Sequence, residues 1–234
     1  MQTLNFSVPA NAVAGDTFAR VRVSSAGGLS PFGLASDGEV EDYQVTIAPP
    51  PTVESVEVNE GNAQRSRVET VTVTFSSIVD IDSVSGDPFQ FVNTTTGESI
   101  TDLPVIDDSS GQTVVQFTFA PGPSVNSGGG LLDGDYELVI ASDLVSIQTV
   151  NLDGNGDGTE GGDYIFGAAA SDEFFRRYGD QNGNGTVDLL DFAQFRETFG
   201  QTSADAGFLA SFDVDADNII SLLDFSRFRQ NFGT

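Results

Sequence analysis

The chain has 234 residues, and its nine basic residues against 35 acidic ones give a formal net charge of −26. All nine basic residues are Arg, so there is no basic footprint for nucleic acid or an anionic membrane surface. The absence of Cys and His excludes a disulfide framework, a thiolate metal site and the usual general base of an enzyme.

Residues 1–48 alternate apolar and polar side chains with the period of two that is typical of half-buried β-strands. The alternation is visible around residues 4–8, 21–23 and 43–47. Three or four strands are few for an independent fold, so we predict a partial β domain that begins upstream. Residues 49–51 are three consecutive prolines and predict a stiff linker.

Residues 52–170 continue the β pattern over a longer region. Apolar residues alternate with polar ones at residues 53–58, 71–75, 115–119 and 136–140. Gly, Asp and Pro between these runs mark turns. Short strands that recur between turn signals predict an antiparallel, Ig-like β-sandwich.

From residue 171 the apolar residues follow a helical period, with Phe at i, i+3 and i+7 and Gly after each run. We predict a small α-helical domain over residues 171–234 with four short helices, two of them at 172–178 and 204–211. The stretch DLLDFAQFRETFG from Asp188 recurs as SLLDFSRFRQNFG from Ser221, 33 residues later. The region is therefore an internal duplication.

The acidic loop before the first copy has the ligand order of a calcium-binding EF-hand. Asp, Asn and Asn occupy positions 1, 3 and 5, Gly occupies position 6, and acids occupy positions 9 and 12. Calcium takes about 6–8 oxygen ligands, and position 7 supplies its backbone carbonyl. The predicted ligands are Asp180, Asn182, Asn184, Thr186, Asp188 and Asp191.

A second loop repeats this order, with Asn218 at position 6, where Asn tolerates left-handed backbone. We expect Val187 and Ile220, at position 8 of each loop, to pair the two loops. An acidic solvated surface would explain one such loop but not two in the same register, so we predict two Ca²⁺ sites. The second set of ligands is Asp213, Asp215, Asp217, Ile219, Ser221 and Asp224.

A third acidic loop, DGNGDGTEGGDY, departs from the pattern because Tyr164 occupies position 12. A third calcium site would need Asp163 to close it, and a flexible Gly/Asp hairpin is the alternative. Residues 164–166 are then the last strand of the sandwich. The ligands of this third site would be Asp153, Asn155, Asp157, Thr159 and Asp163.

The duplicated loops, DQNGNGTVDLLD and DVDADNIISLLD, resemble those of dockerin domains, which read D-x-N-x-D-G-x-V-N/D-x-x-D with a helix after each copy. The resemblance covers residues 180–234 and departs from the pattern at Asn184, Asn218 and Ser221. It implies calcium-dependent folding and non-catalytic docking to a cohesin-like or other surface protein.

The resemblance also implies which residues meet that partner, namely positions 10 and 11 of each loop and the exposed helix face after them. Their near identity in the two copies would permit binding in two orientations. Core packing is the alternative role of the leucines, because short helices need apolar cover. The implied residues are Leu189, Leu190, Arg196, Glu197, Leu222, Leu223, Arg229 and Gln230.

Two further stretches resemble modules of secreted bacterial proteins. GEVEDY at residues 38–43 matches the signature of an extracellular β domain, the GEVED type, and residues 53–77 resemble the start of Ig-like surface-protein domains. Both imply an extracellular or cell-surface location. Residues 1–14 lack the pattern of a signal peptide, so we expect the export signal outside this chain. No segment has the roughly 18 apolar residues of a membrane span.

These observations predict a monomeric, non-catalytic, calcium-binding C-terminal region of a multidomain protein, with the β modules as spacers. A calcium sensor is an alternative, but sensors expose a Met-rich groove and the one Met is Met1. The other alternative is the accessory region of a polysaccharide-acting enzyme. We predict no catalysis in this chain, because the clustered acids already belong to the predicted metal loops.

Overall fold

The computed structural model describes residues 12–234, which divide into two compact units. The first unit holds the described residues up to Pro50 together with Asp157–Thr159, and the second holds Pro51–Gly156 and Glu160–Thr234. The strand predicted around residues 4–8 lies outside the described residues. The predicted separation of a sandwich domain from a helical domain stays a prediction, because both parts lie in the second unit.

The first unit contains a long antiparallel hairpin of β1 (Gly15–Val23) and β2 (Glu39–Ile47). Arg20 and Asp42 lie opposite each other and form a bidentate ion pair, with Nε–Oδ1 and Nη2–Oδ2 distances of 2.7 and 2.8 Å. Gly38, the first residue of GEVEDY, has a φ of +107°, and a Cβ there would lie 1.8 Å from the Val23 carbonyl oxygen. This close approach accounts for glycine at the start of the signature.

The second unit contains one four-stranded and one five-stranded antiparallel sheet, and a small three-stranded one. The first sheet, in spatial order, is β3 (Val53–Val58), β4 (Val71–Phe75), β9 (Val114–Phe119) and β8 (Asp102–Asp107). The second sheet is β13 (Tyr164–Phe166), β10 (Gly134–Ile140), β6 (Phe89–Asn93) and β7 (Glu98–Ile100), and β14 (Phe175–Arg176) also pairs with β10. The small sheet is β12 (Val150–Asn151), β11 (Val145–Ile147) and β5 (Asp80–Ile81).

The two large sheets enclose an aromatic core. The ring of Phe117 from the first sheet contacts Phe89 and Phe91 of the second edge-to-face, with centroid distances of 4.8 and 5.1 Å. Every second residue of β4 is fully buried, because successive side chains of a strand point to opposite faces. The predicted antiparallel β-sandwich is therefore confirmed.

All four strands predicted for the sandwich are present, and residues 164–166 pair with β10 as its last strand. Two of the longer strands were not predicted from the sequence. One is β6, although Phe89 and Phe91 alternate there, and the other is β8, an edge strand with Pro104 and almost wholly exposed side chains. An edge strand with little burial on either face carries no alternating signal.

The C-terminal part contains α1 (Leu189–Thr198) and α2 (Leu222–Asn231), which follow the two predicted calcium loops. They enclose a second core, with Phe195 and Phe228 at a centroid distance of 5.0 Å. The predicted fold class, β modules followed by a small helical module, is confirmed. No helix within residues 12–234 is long and apolar enough to cross a bilayer.

The helices predicted at residues 172–178 and 204–211 are wrong. Phe175–Arg176 form a short strand, β14, which pairs with the start of β10. Residues 204–211 form turns that lead into a 3₁₀ turn at Ala210–Phe212. An isolated helix of fewer than roughly 12 residues is only marginally stable in water. Tertiary contacts therefore decided the conformation of both segments.

Candidate metal centre

Each helix begins with a capping box formed by positions 9 and 12 of the loop before it. The Asp188 carboxylate accepts from the Leu190 N–H, and Asp191 Oδ2 accepts from the Asp188 N–H at 2.9 Å. In the second loop, Ser221 Oγ accepts from the Leu223 N–H and Asp224 Oδ2 accepts from the Ser221 N–H at 2.7 Å. These caps hold the closing carboxylates in the first turn of each helix.

The closing carboxylate also reaches the start of its own loop. Asp191 Oδ1 accepts from the Gln181 N–H at 2.9 Å, and Asp224 Oδ1 accepts from the Val214 N–H at 2.8 Å. Position 12 therefore contacts position 2 in both loops. Each 12-residue segment is folded back on itself in the same way, as the duplicated sequence predicts.

The carboxylate at position 1 holds the middle of each loop. Asp180 Oδ2 accepts from the Gly185 N–H, and Asp213 Oδ2 accepts from the Asn218 N–H, both at 2.9 Å. Gly185 and Asn218 have φ of +81° and +66°. Position 6 thus takes the left-handed backbone that its residue types predict.

The carboxylates at positions 1 and 12 are buried next to each other. Asp180, Asp191 and Asp224 are fully buried, and Asp213 is 9% exposed. Within residues 12–234, no Arg forms an ion pair with any of these four carboxylates. Arg65 acts on Asp180 only as a nearby charge, without an ion-pair contact. Two buried like charges next to each other are costly unless a cation binds between them.

Burial raises the pKa of Asp180 and of Asp213, and the like charges of Asp191 and Asp224 add to the two shifts. In the second loop, Asp213, Asp215 and Asp224 each offer an oxygen, and these oxygens lie within 4.8 Å of one another. Oxygen ligands around a buried negative site suit a hard divalent cation. The residues of the second loop therefore fit a Ca²⁺ ion.

The remaining predicted ligands lie on the same loops. Asn182, Asn184 and Asp217 each accept at Oδ1 from the N–H two residues on, at 2.8–3.0 Å. Ile219 is 42% exposed, in keeping with a residue that would offer only its carbonyl. The assignment of twelve ligands to two Ca²⁺ ions stays a prediction.

The third loop differs from the other two. Asp163, its predicted closing ligand, accepts at Oδ1 from the backbone N–H and the hydroxyl of Ser142, at 2.9 and 3.2 Å. The Gly156 N–H donates to Asp153 Oδ1 at 2.8 Å, and Asp153 is nearly buried. Asp157 and Thr159 belong to the first unit, whereas the other three predicted ligands belong to the second. A third calcium site stays a prediction.

The expected pairing of the two loops at position 8 is wrong. The Gly233 N–H donates to the Val187 carbonyl, and the Gly200 N–H donates to the Ile220 carbonyl, both at 2.8 Å. Each loop therefore pairs with the chain that leaves the other copy's helix. Val187 and Ile220 are fully buried, and this crossed pairing buries them between the two copies.

The leucine pairs after the loops lie at the surface. Leu189, Leu190, Leu222 and Leu223 are 71%, 65%, 74% and 51% exposed. The alternative prediction that these leucines pack in the core is therefore wrong. Phe195 and Phe228 are the buried apolar residues of the two helices instead. The four other predicted partner residues, Arg196, Glu197, Arg229 and Gln230, are exposed as well.

Tyr178 joins the loops in a way that the sequence did not predict. Its hydroxyl, which is fully buried, donates to the carbonyls of Phe212 and Asp224 at 2.7 and 3.2 Å. A residue two positions before the first loop thus contacts the residue that precedes the second loop and the residue that ends it. Its helical spacing with Phe174 and Phe175 hid this role, since the local pattern alone favoured a helix.

Comparison with known families identifies both ends of the chain. Residues 178–232 match the model of the dockerin type I domain, and residues 1–46 match that of the GEVED domain. Both resemblances are therefore confirmed. Dockerin type I domains bind calcium and dock to proteins, and both families are non-catalytic and typical of extracellular or cell-surface proteins. No curated protein matches the chain.

Proposed function

We propose that residues 178–234 are a calcium-stabilised docking module of a secreted or cell-surface bacterial protein, whose β modules act as non-catalytic spacers. The observation that carries this proposal is the exposure of the two leucine pairs at equivalent positions. Single exposed leucines are ordinary, but a matched pair at the start of each copied helix leaves large apolar side chains in solvent at equivalent places, which suits a protein partner.

The surface between the helices supports docking further. An apolar groove there is lined by residues of both helices and of the segment after the second, namely Leu189, Phe192, Phe225, Phe228, Arg229 and Phe232. A groove with aromatic walls and one arginine has the composition of a binding hot spot. A cohesin-type protein is the partner that the family match favours.

Calcium would act here as a folding ligand. The two helices have ten residues each, which is too short for stability on their own. The loops that position them hold buried carboxylates, whose repulsion a divalent cation removes. Binding energy of the ion then becomes folding energy of the module.

The proposal is tested by capture of the full chain on an immobilised cohesin-type domain, in calcium and in chelator. A double variant, L190D/L223D, introduces a charge into the exposed leucine pair of both copies. A single variant would leave one copy intact, and that copy could still bind the partner in one orientation. V84D/L103D is the matched control, since it adds the same charge at exposed apolar sites on the sandwich.

We expect calcium-dependent capture of the natural chain and of the control, and a loss of at least about 100-fold in affinity for L190D/L223D. Circular dichroism should show the helices of all three proteins in calcium. Equal capture of L190D/L223D and the natural chain would overturn the proposed docking surface.

A further inference from the structure

A segment of the β-sandwich, residues 62–67, contacts the entrance of both calcium loops. Ser66 is fully buried; its hydroxyl donates to the Ser211 carbonyl at 2.6 Å and accepts from the Gly179 N–H at 2.9 Å. Gly179 immediately precedes the first loop, and Ser211 lies two residues before the second. One hydroxyl of the sandwich therefore joins the starts of both loops.

The backbone of the same segment pairs with the chain that enters the first loop. The Arg65 N–H donates to the Asp180 carbonyl at 2.8 Å, and the Arg177 N–H donates to the Arg65 carbonyl at 3.0 Å. Arg176 Nε donates to the Ser66 carbonyl at 2.9 Å. The sandwich therefore forms a hydrogen bond to the backbone carbonyl of Asp180, which occupies position 1 of the first loop.

Asp133, in the turn before β10, adds a second point of attachment. Its Oδ1 accepts from Arg176 Nη1 and from the Tyr178 N–H, both at 2.6 Å. Its Oδ2 accepts from Asn231 Nδ2, at the end of α2, at 3.0 Å. The sandwich therefore holds the entrance of the first loop and the end of the second helix.

The first loop also lies directly against the segment. A Cβ on Gly183 would lie 1.8 Å from the Ala63 carbonyl oxygen. A Cβ on Gly185, two residues later in the same loop, would meet nothing closer than a Phe175 ring atom at 3.9 Å. Both glycines have positive φ, +72° and +81°, so the contact with Ala63 is what distinguishes them.

We propose that residues 62–67 and Asp133 form a positioning surface that pre-organises both calcium loops, so that docking of the sandwich and calcium binding stabilise each other. The proposal rests on the proposed calcium function. A loop already held at its ends loses less conformational entropy when it closes on an ion. Because the coupling is reciprocal, calcium must also stabilise the sandwich segment.

The first test compares calcium affinity in G183A and G185A by calorimetry of the full chain. Both variants place alanine at positive φ in the same loop, but only G183A forces the loop away from Ala63. We expect G183A to bind calcium at least about tenfold more weakly than G185A. Equal affinities would overturn the proposal.

The second test compares S66A with S124A, because both serines are buried in the sandwich and hydrogen-bonded. Ser124 bonds to Asn93 and Glu98, within the sandwich. We expect S66A to weaken calcium binding at both loops about tenfold, the effect of one buried hydrogen bond, and S124A to leave it unchanged. Equal calcium affinity in the two variants would contradict the positioning role.

Hydrogen exchange of the natural chain supplies a readout that needs no variant. Calcium should slow exchange of the Arg65 amide, which donates to the Asp180 carbonyl, and leave the Val73 amide in β4 unchanged. A natural chain that takes up no calcium would overturn the proposed function as well. Calcium uptake without any change at Arg65 would overturn the positioning surface alone.

Discussion

Arg176 Nη1 lies 2.6 Å from Asp133 Oδ1, and this ion pair joins β14, the strand before the first calcium loop, to the turn before β10. The Arg176 side chain is 9% exposed, whereas that of Asp133 is 39% exposed. Burial lowers the pKa of Arg176, and the Asp133 charge opposes that shift. Such a pair adds little net stability compared with apolar residues, but removal of one partner leaves a buried charge alone.

We therefore expect D133A to destabilise the second unit by about 2–4 kcal/mol, the lower part of the range for a broken buried pair, because Asp133 is partly solvated. Urea unfolding in saturating calcium measures this loss. D135A is the control, since Arg177 and Asp135 form a longer contact of 3.6 Å at the surface. That variant should lose less than about 1 kcal/mol, and a similar loss in both would contradict the role of Asp133.

Calcium affinity should differ between the two loops. The second loop offers four carboxylates, Asp213, Asp215, Asp217 and Asp224, against three in the first. More carboxylates raise the attraction for a divalent cation, so we expect the second loop to bind more tightly. Calorimetry of D180A, which retains the second loop, should give a lower Kd than D213A, which retains the first. The opposite order would show that carboxylate count does not govern affinity here.

The core of the helical module should depend on Phe195 more than on any other ring of α1. Phe195 is 1% exposed, and its ring lies 5.0–5.1 Å from those of Phe228 and Phe212. F195A should cost about 3–5 kcal/mol through lost burial and a cavity. Thermal unfolding in calcium tests this against F199A at the end of the helix, where Phe199 is 45% exposed. Equal shifts in Tm would contradict the packing.

Stability of the sandwich should depend on the charge of Asp102 in β8. Burial raises the pKa of Asp102 from its usual 3.8 to about 6, and the like charge of Asp87 adds to the shift. The folded state therefore binds the proton more tightly than the unfolded state, and this contribution is present below about pH 4 and lost as the pH rises through about 6. D102N should raise Tm at pH 7.5 and leave it unchanged near pH 3.5.

D107N is the control for this pH dependence, because Asp107 lies on the same strand and undergoes the same change of charge. The Ser109 N–H donates to its carboxylate and lowers the pKa of Asp107. The ionised form is thus favoured in the folded state, so D107N should lower Tm at pH 7.5. A rise in both variants would indicate relief of general charge repulsion instead.

The sequence by itself determined the strands with strong alternation and the two calcium loops. Both signals are local, since alternation follows from the pleat of one strand and the loop ligands lie within 12 consecutive residues. The same locality produced the errors at residues 172–178 and 204–211. In both segments the local helical pattern is short, and tertiary contacts with distant parts of the chain stabilise a non-helical conformation instead.

Only the tertiary structure decided how the sandwich meets the loops and which leucines stay outside. Ser66 and Ser211 are 145 residues apart, and no periodic pattern in either segment indicates that they bond. The exposure of Leu189 and Leu222 likewise depends on which side chains the two copies bury against each other. Phe195 and Phe228 of the helices occupy that core together with residues of the loops, and the leucines of the first helical turns remain at the surface.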